Sequence, residues 1–214
     1  MYLPYFDAAS RFLEKSGIPS EIHNGRQLAE HELKDLSSCL GLEIPGDLAV
    51  YLQELGDGFS MQWELAGSGD LVSFGLSPLV DIQDEGLWIQ QQMRETLTTH
   101  AEDAEIVREA KRRMHWIPIM GIGEGGQEFC LDTSDGSVRF HQSYWKDHRN
   151  DWLFGLAPSL RDLVTNWSRY CFSDPITNDG AHINMTILAE RIQGEFDWAS
   201  KHFHPAYLRD AGTH

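Results

Sequence analysis

The 214-residue chain carries 33 acidic against 17 basic side chains, a net charge of −16 with its ten histidines neutral. Such a balance argues against direct contact with phosphate backbones or anionic lipid and favours a cationic protein as partner. A chain this long buries roughly 70% of its unfolded surface and needs no disulfide or metal to fold. Its three cysteines, Cys39, Cys130 and Cys171, are odd in number and widely spaced, so each reads as a small buried hydrophobe in a reducing compartment.

In chain order, Phe6 to Leu13 reads as a short helix that ends before Gly17. Leu33, Leu36 and Leu40 recur at helical spacing, and Gly41 stops that run. A helix begins near Pro45, buries Leu48, Tyr51, Leu52 and Leu55, and is capped by Gly56. The period then changes: Phe59, Met61, Trp63 and Leu65 alternate with polar residues, as in a strand with one wet face. Gly67 to Asp70 is a turn, and Leu71 to Leu76 is the antiparallel partner. Leu79 to Ile82 reads as a short strand or an extended link, and Asp84 to Met114 as mainly helical, broken near Thr98, Thr99 and His100.

Trp116 to Ile122 is an apolar β-rich run, Gly123 to Gln127 a turn, and Phe129 to Asp132 a strand with Phe129 and Leu131 on one face. Asp135-Gly136 signals a hairpin, completed by Ser137 to His141. Leu160, Leu163, Val164, Trp167 and Cys171 mark a helix entered through Pro158-Ser159. Ser173 to Gly180 is a linker, and Leu188, Ile192, Phe196, Ala199 and Phe203 form the stripe of a terminal helix. The order of helices, hairpin, helical insert, second hairpin and closing helices predicts an α+β fold, an antiparallel sheet built from hairpins and covered by helices.

Two stretches carry a pattern beyond periodicity. Leu42 to Gly58 contains Leu-x-x-Pro45-x-Asp, an apolar helix and Gly56-Asp57-Gly58. Trp116 to Asp132 contains Pro118, an apolar run, Gly125-Gly126 and a strand ending Leu-Asp132, with Asp135-Gly136 after it. Together with the helix from Ser159 to Tyr170, these resemble the SUKH superfamily of bacterial toxin-immunity proteins and fungal regulators of cell-wall synthesis, over about residues 26–172. Asp57 stands where the family more often has Asn, and the insert between the hairpins is long for the family. The resemblance implies a protein-binding function.

The matching residues Pro45, Gly56, Gly58, Trp63, Trp116, Pro118, Gly125, Gly126, Asp132 and Gly136 read as scaffold. The glycines permit positive φ in tight connections, and Asp132 can accept backbone N–H groups in the turn after its strand. The expected organisation is a SUKH-like domain over 1–172, with an N-terminal extension and a helical insert at about 84–114, and a helical extension over 173–214 packed on it.

Catalytic and cofactor readings are weak. Gly121 to Gly126 spells G-x-G-x-x-G, but a strand follows it where a dinucleotide site needs a helix, and Glu124 and Glu128 would repel phosphate. His202 and His204 are two apart and share no helical face, so they make a poor zinc pair. Acids such as Asp84 and Glu85 or Glu102 and Asp103 read as a solvated face rather than as acid–base groups. The expectation is no catalysis, no metal and no cofactor.

The stretch from Asp81 to Glu105 holds seven acids and one arginine, with Trp88 inside it. An aromatic anchor ringed by charge suits a protein interface. Asp81, Asp84, Glu85, Trp88, Glu102, Asp103 and Glu105 are therefore the candidate partner-binding residues, and the competing reading is that Trp88 packs in the core while the acids face water. No run approaches the ~18 apolar residues of a membrane span, and Met1 to Asp7 lacks a basic signal-peptide start, so a cytoplasmic location is expected. The leading expectation is an immunity protein that neutralises a basic toxin domain, a nuclease, by direct contact. A regulatory scaffold for a cellular enzyme is the alternative. The sequence sets no oligomeric state.

Overall fold

In a computed structural model, residues 1–15, 17–64, 71–121, 127–142, 155–168 and 172 are described. The elements are α1 (Leu3–Lys15), β1 (Ser20–His23), α2 (Glu30–Leu40), α3 (Gly46–Leu55), β2 (Ser60–Glu64), β3 (Leu71–Phe74), α4 (Leu79–Thr99), α5 (Ala104–Arg113), β4 (Trp116–Gly121), β5 (Gln127–Asp132), β6 (Val138–Gln142), β7 (Gly155–Ala157) and α6 (Leu160–Ser168). The fold class is α+β, as expected. All strand pairs are antiparallel, in a sheet ordered β1-β2-β3 and a second ordered β4-β5-β6-β7.

The chain divides into two units of interleaved segments. One comprises Met1–Gln27, Val50–Leu76 and the segment beginning at Arg161; the other comprises Leu28–Ala49 and Ser77–Leu160. The first unit has an aromatic core. Phe6 stacks on Phe172 at 4.4 Å and meets Phe59 edge-on at 4.7 Å, with Tyr51 and Phe74 around it. Offset and edge-to-face rings satisfy the aromatic quadrupole while burying large area. In its sheet, Met61 and Trp63 of β2 are buried, as the alternation requires, and β1 pairs along β2 from Ser20↔Trp63 to His23↔Ser60.

The backbones of Gly25 and Gly56 pass each other in this unit. A Cβ on Gly56 would lie 2.5 Å from the carbonyl carbon of Gly25, and φ at Gly56 is +90°. The approach is held by paired N–H···O bonds between Arg26 and Asp57 of 2.8 and 2.9 Å and by their side-chain ion pair at 3.0 Å. Gly56 thus ends α3 and also admits a second backbone, which no side chain would allow.

In the second unit, α2 ends on Gly41 in the left-handed conformation, and α4 packs beside it. Gln90 of α4 donates to the Leu40 carbonyl at 2.7 Å, and the missing side chain of Gly86 makes room for Leu40 and Pro118. α4, α5 and the second sheet share a core of Ile89, Met93, Ala110, Trp116 and Cys130.

Two expectations are corrected. Leu79 to Ile82 is neither strand nor link but the first turn of α4. The Ile82 N–H donates to the Pro78 carbonyl at 2.9 Å, and Ile82, Gly86, Ile89, Gln90 and Met93 form one buried helical stripe. Cys39 is exposed, not buried, because it lies about 100° around α2 from Leu40 and outside the Leu33, Leu36, Leu40 stripe. Cys130 is buried, as expected. Gly67 to Asp70, Gly125, Gly126, Cys171, the linker from Ser173 and the terminal helix with His202 and His204 lie outside the described residues.

Candidate functional site

β5 is a central strand, and Glu128 through Asp132 are buried on both of its faces. One face carries Glu128, Cys130 and Asp132, with cross-strand partners His141, Arg139 and Trp116 respectively. This is the face that α4 and α5 cover, since Trp116 and Cys130 share their core with Ile89, Met93 and Ala110. Polar groups placed there must find partners or lose their charge.

At one end they find partners. Asp132 is fully buried, yet its Oδ2 accepts from Arg112 Nε at 3.1 Å and Arg139 Nε at 3.2 Å. Its Oδ1 accepts the Ser134 N–H at 3.1 Å and the Ser134 hydroxyl. Asp135 extends the cluster, accepting from Arg139 Nη2 at 2.8 Å and Arg112 Nη2 at 3.4 Å. Burial raises both aspartates, but the Ser134 groups outweigh it and hold Asp132 low; the Ser137 groups and Arg139 hold Asp135 at about 2. Asp132 thus accepts the N–H of the turn after its strand, and Arg112 from the C-terminal turn of α5 and Arg139 from β6 converge on its other oxygen. The expected positive φ at Gly136 is +75°, and Gly58 has +77°.

At the other end the charge is lost instead. Glu128 is 5% exposed and its Oε2 has no hydrogen-bond partner among the described residues. Burial first, then the charge and hydrogen bond of Glu85 on α4, push its carboxyl up to about 8. His141 beside it is fully buried, and neither ring nitrogen has a partner among the described residues. Its ring is T-shaped to both Trp88, at 6.4 Å between centroids, and Trp116, at 6.3 Å. Burial and the positive charge of Arg113 hold it down to about 3, so it is neutral at pH 7.

The outer side of α4 holds the predicted acids. Asp81, Asp84 and Glu85 are exposed in its first two turns, and Val80 and Leu87 are exposed among them at 62% and 36%. Trp88 is half-buried, one turn beyond Glu85, and packs against the Ile89–Met93–Trp116 core, so it belongs to both the core and the surface. Glu102, Asp103 and Glu105 are exposed but stand beyond the far end of α4, whose Thr99 is ~22 Å along the helix from Asp84 at 1.5 Å per residue. The acidic run is thus two clusters. Asp103 already has a structural task as the N-cap of α5, accepting from Glu105 N at 3.0 Å and Ile106 N at 3.1 Å.

The described positions of the family pattern stand at element boundaries or in the core. Pro45 precedes α3, and its carbonyl accepts the Ala49 N–H at 3.0 Å. Trp63 and Trp116 are buried. Pro118, lacking an N–H, stands where the β4–β5 register shifts. Among the described residues, no group of three or more His, Cys, Asp or Glu could hold a metal ion, and no helix is long and apolar enough to cross a membrane.

Residues 27–166 match the model of the SMI1 / KNR4 family (SUKH-1). The chain belongs to that family. No curated protein matches the chain significantly. SUKH-1 membership places it among immunity and regulatory proteins, generally non-enzymatic, that act by binding a protein partner. The matched span takes in Leu42 to Gly58, the whole of α4 and α5, and β4 to β6, so both acidic clusters and the Glu128–His141 pair lie within the SUKH-1 body.

Sequence reading did not find Glu128, His141, the two arginines on Asp132, or Val80 and Leu87. Alternation did hold the signal for Glu128: with Phe129 and Leu131 on one face, Glu128 shares the other with Cys130.

Proposed function

We propose that this chain is a cytoplasmic immunity protein that neutralises a cognate toxin, a basic nuclease, by direct contact and without chemistry or a cofactor of its own. The first turns of α4 make the contact: Val80, Leu87 and the exposed part of Trp88 supply apolar area, and Asp81, Asp84 and Glu85 meet the partner's cationic surface. Glu102, Asp103 and Glu105 add negative potential that steers encounter. The observation that carries this reading is the apolar pair Val80 and Leu87 left exposed among acids on one helix, in a chain of net charge −16. Interfaces join apolar anchors to complementary charge in this way. The second reading, a regulatory scaffold that binds a cellular enzyme, is supported by the regulatory members of the family. We also propose that residues 1–172 form the binding body, with 84–114 as its helical insert, and that 173–214 are a helical extension packed on it.

Co-expression with the toxin encoded beside its gene tests the proposal. Growth should be restored by the native chain and lost, at unchanged expression and fold, with Asp81→Lys and Asp84→Lys together. No rescue and no complex with the native chain would contradict it, and a stable complex with a housekeeping enzyme would favour the scaffold.

A further inference from the structure

We propose that Glu85 and Glu128 together form a seat for one cationic side chain of the partner, an arginine or lysine that enters beside Trp88. This deepens the docking reading above and rests on it. Acids on a helix surface are common and mean little alone. What distinguishes this pair is the second carboxyl, which comes from the sheet beneath. Glu128 is 5% exposed, its Oε2 is unpartnered among the described residues, and its carboxyl interacts with that of exposed Glu85. The charge of Glu85 raises the cost of charging the buried acid beside it. A cation removes that cost and satisfies the unpartnered oxygen.

The surroundings fit a guanidinium. Trp88 stands one turn from Glu85 on α4 and is half-buried, and an indole is the ring on which a planar cation stacks best. Two carboxyls present several acceptors to the five donors of an arginine. Among the described residues, the charged and titratable groups around the seat are Glu85 from α4, Cys130 on β5, His141 from β6 and Arg113 from α5. Burial and Arg113 keep His141 neutral, and burial raises the Cys130 thiol, so neither competes for the cation. Arg113 itself is fully buried, its Nε donating to Glu109 at 3.1 Å with the guanidinium 5.2 Å from the Trp116 ring centre.

The seat has a thermodynamic signature. Without a cation, Glu128 holds a proton at neutral pH, and entry of the cation expels it. Binding therefore tightens as pH rises toward 8 and levels off above it. A surface acid with an ordinary carboxyl shows no such change above pH 6.

The probe is hexaarginine, titrated into the full-length chain at low salt while the Glu128 side-chain carboxyl is followed by carbon NMR. The expected result is a Glu128 titration that moves down by at least a unit on saturation, with about tenfold tighter binding at pH 9 than at pH 7. Glu128→Gln should abolish that pH dependence and weaken binding at pH 9, whereas Glu43→Gln, at an exposed acid outside α4, should leave the pH dependence intact. Gln matches the protonated acid in shape, so the variant should fold; the native-chain resonance is decisive in any case. A Glu128 resonance unmoved at saturation, or equal affinity and pH profile in Glu128→Gln, would overturn the seat while leaving the acidic helix as a docking face. Absence of binding to the native chain at every pH would overturn both.

Discussion

Glu128 and His141 face each other across β5 and β6, and burial acts on them in opposite directions. Folding raises the Glu128 carboxyl from 4.5 to about 8 and lowers the His141 ring from 6.5 to about 3. Between pH 4.5 and 6.5 the folded chain keeps a proton on Glu128 that the unfolded chain lacks, and lacks one on His141 that the unfolded chain has. The two effects cancel, so their joint contribution to stability is flat. From pH 6.5 to 8 only Glu128 differs, the folded state holds the extra proton, and stability falls as pH rises. Below 4.5 only His141 differs, the unfolded state holds the extra proton, and stability falls as pH drops toward 3. Urea midpoints measured across this range should show the plateau. Glu128→Gln should be more stable than the native chain at pH 9 and gain progressively less as pH falls to 5. A native chain no less stable at pH 9 than at pH 6 would contradict the burial of this carboxyl. Neither residue's state was legible in the sequence, because a lone Glu before an apolar strand reads as the end of a turn. Only the covering helix turns it into a buried acid.

At the scale of elements, period and punctuation located most of the fold. The stripes in α2 and α3, Gly41 and Gly56 at their ends, and the alternation through Met61 and Trp63 all stand as the sequence implies. α4 was legible from Asp84 onward, but its first turn was not. Leu79, Val80 and Ile82 have β-like character locally, and only packing over the whole helix selects Ile82 for burial and leaves Val80 outside. That choice creates the exposed apolar residue on which the proposed docking face depends. β1 was invisible for a similar reason: its four residues alternate between half-buried and exposed, and it is defined by its pairing with β2. The Gly25–Gly56 crossing was half legible, since Gly56 announced itself as a helix end while its partner lies 31 residues earlier. Gly56→Ala combines a positive φ with a backbone clash and should cost about 2–4 kcal/mol in chemical denaturation. A loss below about 1 kcal/mol would mean that the two backbones separate at little cost.

For the whole molecule, the family pattern gave the class of function and net charge the expectation of a cationic partner, whereas the proposed place of contact had to come from structure. The acidic run is continuous in sequence from Asp81 to Glu105, but α4 puts ~22 Å of helix between Asp84 and Thr99, and among the described residues only the first cluster keeps large apolar residues exposed beside it. Trp88 proved to be core and surface at once, which the sequence posed as alternatives. The account therefore turns on α4 as the contact element. Hydrogen exchange of the complex with the cognate toxin tests this most directly. The account predicts slowed exchange across the first half of Leu79–Thr99, beyond that of the free chain. Slowed exchange elsewhere with α4 unchanged would contradict it.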